Sequence, residues 1–121
     1  MSDPAAPILA LIPGYNEAPR IAPVIAKAAR HLPVVVVDDG SKDGTAEVAE
    51  GAGATVLRQV PNQGKGAALR RGFQHALDAG AEAVVTLDAD GQHDPAEIPA
   101  FLAAWAARHA PLIIGKRSFH E

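Results

Sequence analysis

Five short apolar runs rich in valine and isoleucine punctuate the chain, at residues 8–12, 33–37, 54–57, 83–87 and 112–114, with longer alanine-rich stretches between most of them. Each run is too short for a buried helix and is closed by a glycine, proline or aspartate turn, which is the pattern of strands covered on both faces. The spacers carry helical periodicity instead. Ile21, Val24, Ile25 and Ala28 fall at i, i+3, i+4 and i+7, an amphipathic helix reaching about Arg30. Pro23 fits it if the helix begins near Ile21, where first-turn amides have no intrahelical partner to lose. Asp43 or Ser41 is placed to cap a second helix that ends near Ala52, with Gly53 closing it. Leu69, Phe73, Ala76 and Leu77 read as the inner stripe of a third helix ending at Gly80, and Ile98, Leu102 and Trp105 as that of a fourth. Strands alternating with helices of this length predict an α/β fold, an open doubly wound and mostly parallel sheet with right-handed crossovers. Ligands on such sheets bind beyond the carboxyl ends of the strands, so the polar residues there carry the functional question.

The length of 121 residues suits one domain of residues 8–121, with residues 1–7 expected to fray, and any active site must sit on this one sheet. There is no cysteine, which excludes disulfides, a thiolate nucleophile and a zinc–thiolate site. A net charge of −3 without any cluster of lysine and arginine argues against a nucleic-acid partner and leaves small anionic ligands open. No apolar run approaches the roughly 20 residues of a membrane span, and Met1-Ser2-Asp3-Pro4 lacks a basic leader, so a cytoplasmic location is expected.

The first strand runs into Pro13-Gly14-Tyr15-Asn16-Glu17. A plain turn accounts for the proline, glycine and asparagine; the tyrosine adds a ring for stacking and the glutamate an acceptor for a base or ribose donor. The second strand ends in Asp38-Asp39-Gly40-Ser41, followed by Asp43-Gly44-Thr45. Asp39 is placed to accept from a nucleobase N–H while Asp38 caps nearby amides, and the alternative is that both only cap the turn. The fourth strand ends in Asp88-Ala89-Asp90-Gly91-Gln92-His93-Asp94-Pro95. A bend there can converge Asp88 and Asp90 on one hard cation, Mg2+ or Mn2+, with Gln92 as a further oxygen ligand; a solvated turn is the alternative. Asp94-Pro95 reads as a helix cap followed by a first-turn proline, and His93 as an exposed or supporting residue. Gly64-Lys65-Gly66 lacks the first glycine and the serine or threonine of a Walker loop, having Gln59 and Gly66 in those places. What survives is a helix N-terminus at which Lys65 is weakly disposed toward anions. Lys116 and Arg117 place two cations beyond the fifth strand.

Taken together, the segments 12–17, 36–45, 62–72 and 87–95 resemble the family-2 glycosyltransferases, in the branch of dolichol-phosphate mannose and polyprenyl-phosphate glucose synthases. The resemblance implies the GT-A type nucleotide-sugar fold. It further implies that Pro13, Tyr15, Glu17, Val37 and Asp39 hold the nucleoside, Val37 through backbone and packing. By the same resemblance Asp88, Ala89, Asp90 and Gln92 line the metal and diphosphate, and Arg117 approaches the donor. Gly14 stands where alanine or another small residue is usual. The implied reaction moves a hexose, with inversion, from a GDP-mannose or UDP-glucose type donor to an acceptor, a lipid phosphate at the inner face of the plasma membrane. The family's sheet and acceptor site extend for about as many residues again, so these residues correspond to the donor- and metal-binding half of an incomplete GT-A domain. An open sheet edge offers a route to a homodimer. Two other classes compete. A receiver-like phosphoacceptor domain has a similar length and a lysine at the fifth strand, where Lys116 falls, but carries its acidic pair after the first strand rather than the second. The other is a catalytically inactive nucleotide-binding or interaction module.

Overall fold

The computed structural model describes residues 8–89, 98–100, 103 and 112–115. The strands are β1 (Ile8–Gly14), β2 (Val34–Asp38), β3 (Thr55–Arg58), β4 (Ala83–Thr86) and β5 (Leu112–Gly115), and the helices α1 (Ala18–Ala28), α2 (Thr45–Gly51) and α3 (Lys65–Asp78). Residues 98–100 are also helical. Residues 1–7, Asp90, Gln92, His93, Asp94, Pro95, Leu102, Trp105, Lys116 and Arg117, on which sequence-based expectations rest, lie outside the described residues.

All five strands run parallel in the order β3-β2-β1-β4-β5. Along β1 the side chains alternate between faces. Ala10 and Ile12 join Ile21, Val24, Ile25 and Ala28 of α1, Ala49 of α2 and Ile98 in one core, while Leu9 and Leu11 join Ala68 and Ala76 of α3 in the other. Every residue of β2 is buried, as its unbroken valine run requires of a strand covered on both sides. The chain thus steps outward from β1 to β3 with α1 and α2 on one face. It then returns through α3 on the opposite face to set β4 on the other side of β1. The connections part between β1 and β4, and a crevice opens at that point.

Pro13 marks the same place. Ala10 N–H donates to Pro33 O and Gly14 O accepts from Asp39 N–H, both toward the β2 side, whereas Leu11 O accepts from Leu87 N–H on the β4 side. Residue 13 therefore turns its backbone toward β4, beyond Leu11, the last β1 residue paired with that strand. The β1–β4 pairing has ended by then, and a proline lacking N–H is tolerated where a strand leaves its ladder.

Two helical expectations are corrected. Helix α1 starts at Ala18, not near Ile21, so Pro19 takes the first turn and Pro23 lies inside the helix. Burial of Ile21, Val24, Ile25 and Ala28 offsets the hydrogen bond that Pro23 cannot make. In α3 the buried line is Ala68, Gly72 and Ala76, with Leu69 and Phe73 beside it, and Leu77 is 70% exposed. Each i+4 step from Leu69 to Phe73 to Leu77 advances about 40° around the helix, which carries Leu77 out of the contact. The small residues let α3 lie against β1: a Cβ on Gly72 would stand 2.3 Å from Leu11 Cδ1.

The start of α2 is organised by Asp43 from just outside the helix. Gly44 occupies the N-cap with φ +85, and Asp43 Oδ1 accepts from the Thr45 amide at 3.1 Å and from the Thr45 hydroxyl. Its Oδ2 accepts from the Ala18 amide at 3.1 Å, so one carboxylate serves the first turns of both α1 and α2. Ser41 does not cap α2; its Oγ accepts from the Asn16 amide. The Thr45 hydrogen bond, with the backbone amides, holds the Asp43 carboxyl below its ordinary value of 3.8.

Gly72→Ala is expected to destabilise the fold by about 1–3 kcal/mol, because overpacking against Leu11 outweighs the better helix propensity of alanine. A urea midpoint equal to or above that of the parent would show that Leu11 yields freely. For Asp43, a folded-state pKa below the unfolded one means stability that is present above about pH 4 and is lost as pH falls through the lower folded value. Asp43→Asn should accordingly flatten the acid limb of urea midpoints measured between about pH 2.5 and 5, and an unchanged limb would remove Asp43 from the account.

Candidate functional site

The loop after β1 is pinned to the loop after β2 and to the first residue of α2 by three hydrogen bonds. The Asn16 amide donates to Ser41 Oγ (2.8 Å), the Lys42 amide to Asn16 Oδ1 (2.9 Å) and the Glu17 amide to Thr45 Oγ1 (2.9 Å). Asn16 adopts φ +55, a conformation its short polar side chain accepts more readily than most. Tyr15, between the pinned residues and β1, is 48% exposed and lines a crevice described below. Glu17 turns Oε1 to the Arg20 guanidinium, at 2.7 Å from Nε and 2.6 Å from a terminal nitrogen.

At the end of β2 the adjacent carboxylates part. Asp38 Oδ1 accepts from the Ser41 amide at 3.1 Å, the capping role expected of it. Asp39, 3% exposed, is a junction. Its Oδ1 accepts from Gln59 Nε2 (2.9 Å) and the Gln63 amide (2.8 Å), and its Oδ2 from the Gly64 amide (2.9 Å). Its carbonyl accepts from Asn62 Nδ2 (2.9 Å). A buried carboxylate needs such donors, and here they gather the segment between β3 and α3 onto the end of β2. Gly40 lets that segment approach: with φ +76, a Cβ there would lie 2.7 Å from the Asn62 nitrogen.

Asp88, which follows β4, is 8% exposed, and Lys65 Nζ at the first turn of α3 donates to its Oδ1 at 3.1 Å. Ala89 next to it is buried. The result is a crevice of about 340 Å³ at the carboxyl ends of β1 and β4, within the size range of small-molecule sites. Seven residues singled out from the sequence meet there: Pro13, Tyr15, Glu17, Asp39, Lys65, Asp88 and Ala89. Val37 does not reach it; its side chain is fully buried in the core beneath α3. Asp90, Gln92 and Arg117 lie outside the described residues. Sequence reasoning gave no role to Asn62, which lines the crevice, or to Gln59, which is buried behind it. No sequence signal marks them: Gln59 stands two residues beyond the third apolar run, after the exposed Arg58, and its burial comes from the fold. Gly14 lines the crevice too, and a Cβ there would meet Ile21 at an ordinary 3.4 Å, so the space admits alanine.

The carboxylates of Glu17, Asp39 and Asp88 and the Lys65 ammonium line the crevice. Glu17 is paired with Arg20 and Asp88 with Lys65, while Asp39 accepts three hydrogen bonds. Among the described residues there is no group of three or more histidine, cysteine, aspartate or glutamate side chains that could hold a metal ion.

The family model described as Glycosyl transferase family 2 matches residues 10–121. Undecaprenyl-phosphate mannosyltransferase of Micrococcus luteus is 36% identical over 118 residues, covering 91% of this chain and 48% of that protein. Polyprenol monophosphomannose synthase of Mycolicibacterium smegmatis is 36% identical over 118 residues, covering 90% of this chain and 44% of that protein. The chain therefore spans about half the length of these two relatives. Among solved structures, glucosyl-3-phosphoglycerate synthase of Mycobacterium tuberculosis, in complex with Mn2+, uridine diphosphate and glucosyl-3-phosphoglycerate, superposes with a TM-score of 0.67 and 28% identity. That match covers 82% of this chain and 39% of the synthase. The parallel sheet, the crevice where its connections part and the match over residues 10–121 together place the chain in glycosyltransferase family 2, with the GT-A type fold.

Proposed function

We propose that this chain is the donor- and metal-binding half of a hexosyltransferase, which takes a GDP- or UDP-linked sugar and passes the hexose to a polyprenyl phosphate. One observation carries the reading. A stacking ring, a base-accepting carboxylate and a metal-type carboxylate line one crevice, as Tyr15, Asp39 and Asp88. The names of the M. luteus and M. smegmatis relatives support the polyprenyl acceptor, and the Mn2+ and uridine diphosphate held by the M. tuberculosis synthase support the donor and the ion.

In this reading Tyr15 stacks on the base, and Asp39 offers it the remaining acceptor capacity of Oδ2, which takes one protein hydrogen bond from Gly64. Pro13 and Glu17 bound the nucleoside, and Val37 supports it from beneath. Asp88, Asp90 and Gln92 would hold the divalent ion, Ala89 sits against the diphosphate, and Arg117 approaches it from beyond β5. When bound, the ion supplies Lewis-acid compensation for the charge that develops on the departing diphosphate. An acceptor phosphate with a second pKa of about 6 is already mostly ionised at neutral pH, so the chain need not provide a strong general base. Attack from the face opposite the diphosphate inverts the anomeric centre. Among the described residues no helix is long and apolar enough to cross a membrane, and the proposed acceptor is met at the membrane surface.

Isothermal titration of the chain with UDP-glucose and GDP-mannose, with and without Mn2+, tests the reading. Metal-dependent binding of one of them is expected, weakened at least about 10–100-fold in Asp88→Asn and in Asp90→Ala, the loss that even outer partners of a metal site produce. No binding of either nucleotide sugar, with or without the ion, would overturn it.

A further inference from the structure

We infer that Gln59 is a positioning residue for base recognition: it locks the Asp39 carboxylate to the sheet, so that one acceptor site on Oδ2 is held open to the base. The inference rests on the base-accepting reading of Asp39 given above and adds a residue to which that reading gives no part. Gln59 is 4% exposed, and its backbone amide donates to Asp38 O at 2.8 Å, just past the last β2–β3 pair of Asp38 and Arg58. Its side-chain amide donates to Asp39 Oδ1 at 2.9 Å. An ionised carboxylate only accepts, so the amide must turn its NH2 and not its oxygen toward Asp39.

Gln59 differs in kind from the other donors to this carboxylate. The amides of Gln63 and Gly64 belong to adjacent residues of one loop, and residues 60–63 of that loop are exposed. Those amides fix the carboxylate to the loop, whereas Gln59, rooted at the end of β3, fixes it to the sheet. Asn62 ties the loop to the Asp39 carbonyl and makes no bond to the carboxylate. An ionised carboxylate has about four acceptor sites, two on each oxygen. Gln59 and Gln63 fill those of Oδ1, and Gly64 takes one on Oδ2, which leaves one. Uracil and guanine each carry an imide-type N–H on the Watson–Crick edge that one open acceptor can receive. Without the Gln59 donor the carboxylate follows the exposed loop, and the open site is no longer held in one place. A site of this kind recognises its ligand only as well as its supporting residues fix the group that touches it.

The test is isothermal titration, at saturating Mn2+, of the parent and of Gln59→Met. The ligands are UDP and GDP, and N3-methyl-UDP and N1-methyl-GDP, which lack the imide proton. The parent should bind at least one unmethylated nucleotide about tenfold or more tighter than its methylated form, as expected for a hydrogen bond to a charged acceptor. Gln59→Met keeps a similar length without a donor, and there the ratio should fall to about threefold or less, because a loosened carboxylate both loses the imide and gives way to the methyl group. If both forms weaken by the same factor and the ratio is kept, Gln59 is a structural bond only and the inference is overturned. A second measurement needs the parent alone. The Gln59 side-chain amide resonances, in proton–nitrogen correlation spectra, should shift when the unmethylated nucleotide binds and stay in place with the methylated form; resonances that UDP and GDP leave unmoved overturn the inference as well. If the parent itself does not distinguish methylated from unmethylated nucleotide, the base-accepting reading of Asp39 fails, and the inference with it. If the parent distinguishes them and Gln59→Met does so equally, that reading stands and only the role of Gln59 falls.

Discussion

The buried carboxylate of Asp39 is the interaction on which the site depends. Asp39 stands at the end of the most buried strand and accepts from Gln59, Gln63 and Gly64. Hydrogen bonds to an ionised, desolvated acceptor are among the stronger ones available to a protein. These fix the segment leading into α3, and with it the root of Lys65. From there Lys65 reaches Asp88 at the end of β4, a strand separated from β2 by β1. Three strand ends are thus tied around one crevice through a chain of charged contacts.

The same economy appears on the other face. Asp43 serves the first turns of α1 and α2 at once, and across the two loops Asn16 donates its amide to Ser41 and accepts from the Lys42 amide. The loop after β1 is held by its neighbour, which allows the short connection of residues 15–17 to present Tyr15 and Glu17 without a helix or strand of its own. Rigid elements with linked loops meet the requirement of a site that must be organised before its ligand arrives.

The crevice lies where doubly wound sheets hold their ligands, and its composition distinguishes it from a phosphate site built on backbone amides. Carboxylates line it, two of them already paired within the protein, Glu17 with Arg20 and Asp88 with Lys65. The match over residues 10–121 establishes membership of glycosyltransferase family 2. The chain corresponds to about half of the two polyprenyl-phosphate enzymes described above, the half that holds the nucleotide-side residues in the proposed reading.

The sequence by itself determined the strands, the class of fold and most residues of the crevice. Valine and isoleucine runs closed by turns report burial on both faces, and acidic residues directly after such runs can only fall at the strand ends. It misplaced Pro23 and Leu77 because hydrophobic spacing does not record where a helix starts or how it is rotated against the sheet. The first was decided by Asp43 receiving the Ala18 amide, the second by the close approach of Gly72 to Leu11. It left the duty of Asp39 open between cap and ligand, and named Gln59 only as a departure from a phosphate loop. Those partners lie 20 or more residues away in the chain, and no local pattern encodes the pairing. The tertiary structure alone decided that Lys65 meets Asp88, because the contact requires α3 to cross behind the sheet and deliver its first turn to the far side of β1.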